Sequence, residues 1–137
     1  MPWTPPVPVE IQSQLKKSGQ VTLDAAGNGV LTFDPDNARQ RWVVNEVTVT
    51  TNQSATTTIV PWVTLALNSV ALSTMSQGNQ RGASWNGNQE SFQGSEDVGP
   101  ADFFTVIFAP PAGTSGSSLA GVVCSAVVKG SKYTRRG

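Results

Sequence analysis

The sequence predicts an all-β protein, an antiparallel β-sandwich of the jelly-roll kind carrying an extended proline-rich N-terminal arm. Two runs between Arg41 and Asn68 alternate apolar with polar residues at the period of a half-buried strand, Val43, Val47 and Val49 in the first and Ile59, Val63, Leu65 and Leu67 in the second. About eight such runs are separated by short clusters of Gly, Asn, Asp and Pro, the spacing of a sandwich rather than of a helix-crossed sheet. Helical spacing is confined to one short stretch, Glu10 to Lys17, where Ile11 and Leu15 lie four apart.

Composition narrows the partners. The 137 residues suit one domain with its own core. Charged residues make up 13%, against roughly 25% in most soluble domains, so the surface is built from hydroxyls and amides. Nine basic residues balance nine acidic ones, which leaves no overall field to hold nucleic acid or an anionic membrane. The balance is uneven along the chain. Glu90, Glu96, Asp97 and Asp102 are the only charges between Gly82 and Val128, whereas Lys129, Lys132, Arg135 and Arg136 crowd the last nine residues. That asymmetry invites head-to-tail contacts between copies.

Along the chain, residues 1–18 are expected to form an arm, 19–130 the sandwich and 131–137 a basic tail. Prolines 2, 5, 6 and 8 fix an extended backbone and remove donors, so Trp3, Val7 and Val9 are candidate anchors on a neighbouring subunit; a disordered leader is the alternative. Met1 to Glu10 lacks a basic start and a continuous apolar run, so no secretory signal or membrane span is expected and the chain is expected to stay in a cytoplasm until it is assembled. Glu10 to Lys17 fits two helical turns. Val21 and Leu23, the turn Ala25 to Gly29 and the run Val30 to Phe33 read as a β-hairpin. Asp34-Pro35-Asp36-Asn37 is the next turn, and the oxygens of Asp34, Asp36 and Asn37 suit calcium, though no later bidentate glutamate follows.

The strand Arg41 to Thr50 shows a phase conflict. Trp42 and Val44 fall on one face, Val43, Val47 and Val49 on the other, so that both faces are covered or a bulge near Asn45 shifts the register. Pro61 places its strand, Thr57 to Leu67, at an edge or a bulge. Ser73 to Gly99 reads as a long amide-rich loop. In it Trp85, flanked by Arg81, Asn86, Asn88 and Gln89, suits a sugar ring stacked on an indole; alternatively Trp85 and Phe92 pin short strands to the core. Phe103 and Ile107 lie opposite Phe104, Val106 and Phe108, which suggests a strand covered on two sides. Ala109 to Ser118 is a surface loop, and Leu119 to Val128 the last core strand, with Cys124 as a small buried hydrophobe.

Chemistry is sparse. The chain has no histidine, which removes a Ser-His-Asp triad, a histidine base and an ordinary zinc site. The single cysteine lacks a partner for a disulfide, no phosphate loop is present, and no cofactor is expected. A glycosidase pair among Glu90, Glu96, Asp97 and Asp102 is the one catalytic arrangement left open.

The string GQVTLDAAGNGVLTFDPDNARQRWVVNEVTVTTN, the later GPADFFTVIF and the closing VVKGSKYT resemble the small β-sandwich virion proteins of tailed bacteriophages of actinobacteria, called head decoration or minor tail proteins. The resemblance covers roughly Gly19 to Thr134. It implies a non-enzymatic virion component, a homo-oligomer and specifically a trimer, bound to other virion proteins of the capsid or tail. Candidate assembly contacts are then Trp3, Val7 and Val9 on the arm, Trp42 and Phe103 on covered strand faces, and Lys132, Tyr133, Arg135 and Arg136 at the C-terminal end. The alternative function is a carbohydrate-binding module that recognises host glycans through Trp85 and its neighbours.

Overall fold

The computed structural model describes residues 10–53, 61–71, 89–111 and 113–135. Within them run the strands β1 (Glu10–Thr22), β2 (Gly29–Phe33), β3 (Gln40–Thr51), β4 (Trp62–Leu67), β5 (Val70–Ala71), β6 (Gln89–Val98), β7 (Phe104–Ala109) and β8 (Val123–Arg135), with a single 3-10 turn at Gly116–Leu119. They make two four-stranded antiparallel sheets, β1-β8-β3-β6 and β2-β7-β4-β5. First pairs with eighth, second with seventh, third with sixth and fourth with fifth. The chain is thus one long folded ribbon rolled over on itself, which is the jelly roll the sequence predicts.

The core fills the space between the sheets. Leu15, Leu23, Trp42, Val44, Val47, Val49, Phe92, Val98, Cys124, Ala126 and Val128 face inward from the first sheet and its margins, and Phe33, Val63, Leu65, Phe104, Val106 and Phe108 from the second. The phase conflict in β3 is resolved by a bulge. Both ladders of β3 shift register between Val44 and Glu46: against β8 Asn45 is the extra residue, against β6 the single Asn45 faces Gly94 and Ser95, and Trp42, Val44, Val47 and Val49 all reach one side. Trp42 is 1% exposed, and its indole N–H donates to Gln40 Oε1 at 2.9 Å. It belongs to the domain's own core and offers no surface to a neighbour, so the covered-face reading at Trp42 is replaced by the bulge.

Several expectations change. Glu10 to Lys17 is strand, not helix: all of β1 pairs with β8, and the spacing of Ile11 and Leu15 satisfies period two as well as four. Among the described residues, strands therefore run from Glu10, inside the stretch expected as arm, to Arg135, inside the stretch expected as tail. The turn at Ala25 to Gly29 is real, with Asp24 Oδ1 accepting from the N–H groups of Ala26 and Asn28 at 2.9 and 3.0 Å. Its strands, however, belong to different sheets. Leu23 exchanges backbone bonds with Val122 and Gly121, and Gly29 lies so close to the Leu23 and Val21 side chains that a Cβ there would meet Leu23 Cδ2 at 2.7 Å. The chain crosses face to face instead of pairing edge to edge.

Gln89 to Val98, expected as loop, is the edge strand β6, anchored by Phe92 and Val98. Pro61 stands just before β4, and β4 is internal to its sheet, between β7 and β5. Asn68 and Ser69, both at positive φ (50° and 69°), make the two-residue turn of the β4-β5 hairpin. Leu119 closes the 3-10 turn and is buried there, ahead of β8.

Candidate assembly surfaces

One corner of the first sheet gathers charge. Tyr133 lies directly opposite Arg41 on one side and Gln12 on the other, and Arg135 opposite Glu10. These side chains share the outer face. Arg41 reaches across the central strand β8: its Nε and Nη2 donate to Glu10 Oε2 and Oε1 at 2.9 and 3.1 Å, and its guanidinium carbon sits 4.3 Å from the centre of the Tyr133 ring. The hydrogen bond from Arg41, then the charges of Arg41 and Arg135, hold the Glu10 carboxyl below its usual range, and the bond to Glu10 raises the Arg41 guanidinium. Beside this pair opens a cleft of about 460 Å³ lined by Glu10, Ala38, Arg39, Arg41, Pro100 and Arg135.

The outer face of the second sheet is different. Val30, Ile107 and Thr64 stand in register, as do Trp62 with Ala109 and Thr32 with Thr105 and Ala66, and none of these residues carries a charge. Val30 is 52% exposed, with Ile107 and Trp62 half-buried, whereas Ala66 and Thr105 are buried, so the open apolar part of this face is the Val30, Ile107 and Trp62 end. Phe103, just before β7, is 37% exposed, its N–H donating to Asn68 Oδ1 at 3.0 Å. It sits at the sheet margin with its ring part-exposed. By contrast the outer face of the first sheet carries Lys16, Lys129, Glu46, Arg41 and Asp97, with Thr48 bonded to Ser91 and Thr50 to Ser125 across the strands.

Of the residues expected to act, Tyr133 and Arg135 meet at the charged corner, joined by Glu10, Arg39 and Arg41, which strand reasoning did not select. Their only sequence signal was charge scattered over three distant segments. Lys132 pairs with Trp42 on the opposite side of β8 and is half-buried. Trp3, Val7, Val9 and Arg136 lie outside the described residues, as do Arg81, Trp85, Asn86 and Asn88 of the glycan reading. Gln89 opens β6 and is exposed. Asp36 bonds Lys17 Nζ at 3.0 and 3.3 Å, Asn37 Oδ1 accepts from the Arg39 N–H, and no group of three metal-binding side chains gathers among the described residues. Glu90 and Glu96 are six residues apart on one strand, roughly 20 Å along it. That exceeds the roughly 5–10 Å of a glycosidase pair. Asp102 is engaged by the Gly99 N–H and Asn68 Nδ2.

The fold and surfaces define a jelly-roll domain with an uncharged sheet face and a basic corner. Its chain path is similar to that of a chain from turnip yellow mosaic virus, at 11% identity and a TM-score of 0.42, covering all of this chain and 87% of the other. It is similar also to a chain from the empty head of the same virus, at 14% identity and a TM-score of 0.43 over 98% and 85% of the two chains. A third similarity is to infectious bursal disease virus, Gx strain, at 12% identity and a TM-score of 0.34 over 93% of this chain and 40% of the other. No protein-family model and no curated protein sequence matches the chain.

Proposed function

We propose that the chain is a non-enzymatic structural subunit of a tailed-phage virion, an oligomer that docks on the capsid or tail as a decoration or minor tail protein. The observation that carries this reading is the uncharged outer row of the second sheet, where a half-exposed valine stands opposite Ile107 and a half-buried Trp62 lies on the strand beyond, in a protein whose other sheet face is polar. A sheet face of that composition is suited to burial against another protein. The basic corner supplies a second contact, and the proline-rich arm a third.

The test places a charge on the proposed face. Val30→Glu alters an exposed side chain, so the domain is expected to keep its circular dichroism spectrum and melting temperature while its incorporation into virions, read by mass spectrometry of purified particles, falls. Normal incorporation of the variant removes this face from assembly. Absence of the parent chain from particles, together with a saturable change in tryptophan fluorescence on adding host glycans, replaces the virion reading with the carbohydrate-binding one.

A further inference from the structure

We infer that the cleft beside Arg41 is a docking site for a carboxylate from another protein chain, an aspartate or glutamate presented on an exposed strand or loop. Three guanidinium groups and one carboxylate line it. Glu10 is already held by Arg41 through two parallel hydrogen bonds, and Arg41 is kept flat over Tyr133. Arg39 and Arg135 remain. Among the described residues neither guanidinium makes a hydrogen bond or an ion pair, although Arg135 acts on Glu10 through space and Asp97 on Arg41.

The backbone fixes these two cations together. The Arg135 N–H donates to the Arg39 carbonyl at 2.8 Å, and Asn37 Oδ1 holds the Arg39 N–H at 2.9 Å, so the positions from which both side chains start are set by the fold. Two like charges tethered at one cleft repel, and an anion placed between them removes that cost. The other lining residues, Ala38 and Pro100, offer no side-chain acceptor that competes for the guanidinium donors. Arginine forks match the planar carboxylate in two parallel bonds, as Arg41 and Glu10 demonstrate in the same cleft.

Two features favour protein carboxylates over a phosphate backbone. The cleft is local, and the chain has zero formal net charge, so no overall positive field draws a phosphate backbone to it. The volume of about 460 Å³ accepts a side chain and its neighbours. The inference stands on the chemistry of the cleft and is independent of whether the partner is a virion protein.

The experiment uses the full chain, isotopically labelled, at low ionic strength, with three probes added separately: a triglutamate peptide blocked at both ends, inorganic phosphate, and a short oligothymidylate. Triglutamate is expected to shift the Arg39 and Arg135 side-chain N–H resonances saturably. Replacing both residues, Arg39→Gln with Arg135→Gln, is expected to weaken it on the order of twentyfold. Both are exposed, and an unchanged amide spectrum elsewhere confirms the fold. Lys16→Gln with Lys129→Gln removes the same charge from the middle of the same face and is expected to leave binding unaltered. The inference is overturned by no saturable shift with triglutamate, by equal weakening in the lysine variant, or by phosphate or oligothymidylate binding the same arginines as tightly as triglutamate does.

Discussion

Gly130→Ala is expected to cost this domain about 3 kcal/mol, because of the β3 bulge. Gly130 lies on β8 opposite Leu15 of β1 and Val44 of β3, where the β3 register shifts at Asn45. A Cβ built there would overlap the Val43 carbonyl oxygen and lie 3.0 Å from its carbon and 3.1 Å from the Asn45 nitrogen. Backbone cannot rotate aside as a side-chain tip can. To admit one methyl group, β8 must back away from β3 and stretch the ladder on that side. Two bonds at about 1 kcal/mol each, plus at least about 1 kcal/mol of overpacking strain, give the figure. For a chain of this size that corresponds to a fall of roughly 10 °C in melting temperature.

Gly121→Ala provides the comparison. Gly121 has φ near 81° and nothing within 4 Å of its would-be Cβ, so alanine there meets only backbone strain, about 1 kcal/mol. Thermal and urea unfolding followed by circular dichroism measure both variants. If Gly130→Ala melts within about 2 °C of the parent, or no lower than Gly121→Ala, the bulge does not exclude a Cβ and the argument for its tight contact with β8 fails.

Two further outcomes follow from titrating groups. Hydrogen bonds from Asn68 and from the Gly99 N–H hold the Asp102 carboxyl below its usual value. Its contribution to stability is therefore present above the unfolded value near pH 3.9 and is lost as pH falls through the depressed native value. The Gly99 amide resonance should titrate with a midpoint below about 3.9 and cease to do so in Asp102→Asn; a midpoint above about 4 contradicts the network. Cys124 is buried, and loss of solvation pushes its thiol up to about 12. A disulfide-exchange reagent at pH 8 should leave it unmodified in the native protein and react once urea unfolds the chain, and prompt native reaction refutes that burial. Stability linked to this thiol is full below about pH 8.5 and declines as pH climbs toward about 12.

Alternation alone located most of the strands, because the side-chain period of a strand is written directly in Val47-x-Val49 or Phe104-x-Val106-x-Phe108. It also posed the right question at Trp42 and Val44. It could not choose between a bulge and a second covered face, since the answer lies in the strands β6 and β8 that pass alongside. Strand β6 escaped notice because only Phe92 and Val98 of its ten residues are fully buried, an edge strand needing little apolar surface. Ile11 and Leu15 fit either period.

Composition and local pattern thus determined an all-β sandwich, a hydroxyl-rich surface, a packed cysteine and the poverty of catalytic groups, since each depends on residue type or near neighbours. Tertiary structure decided which strands pair, that Ala25 to Gly29 carries the chain between sheets, and that Glu10, Arg39, Arg41, Tyr133 and Arg135 share one corner. Most of these pairings join residues far apart in the sequence, more than a hundred apart for Glu10 and Arg135, and no local rule encodes them.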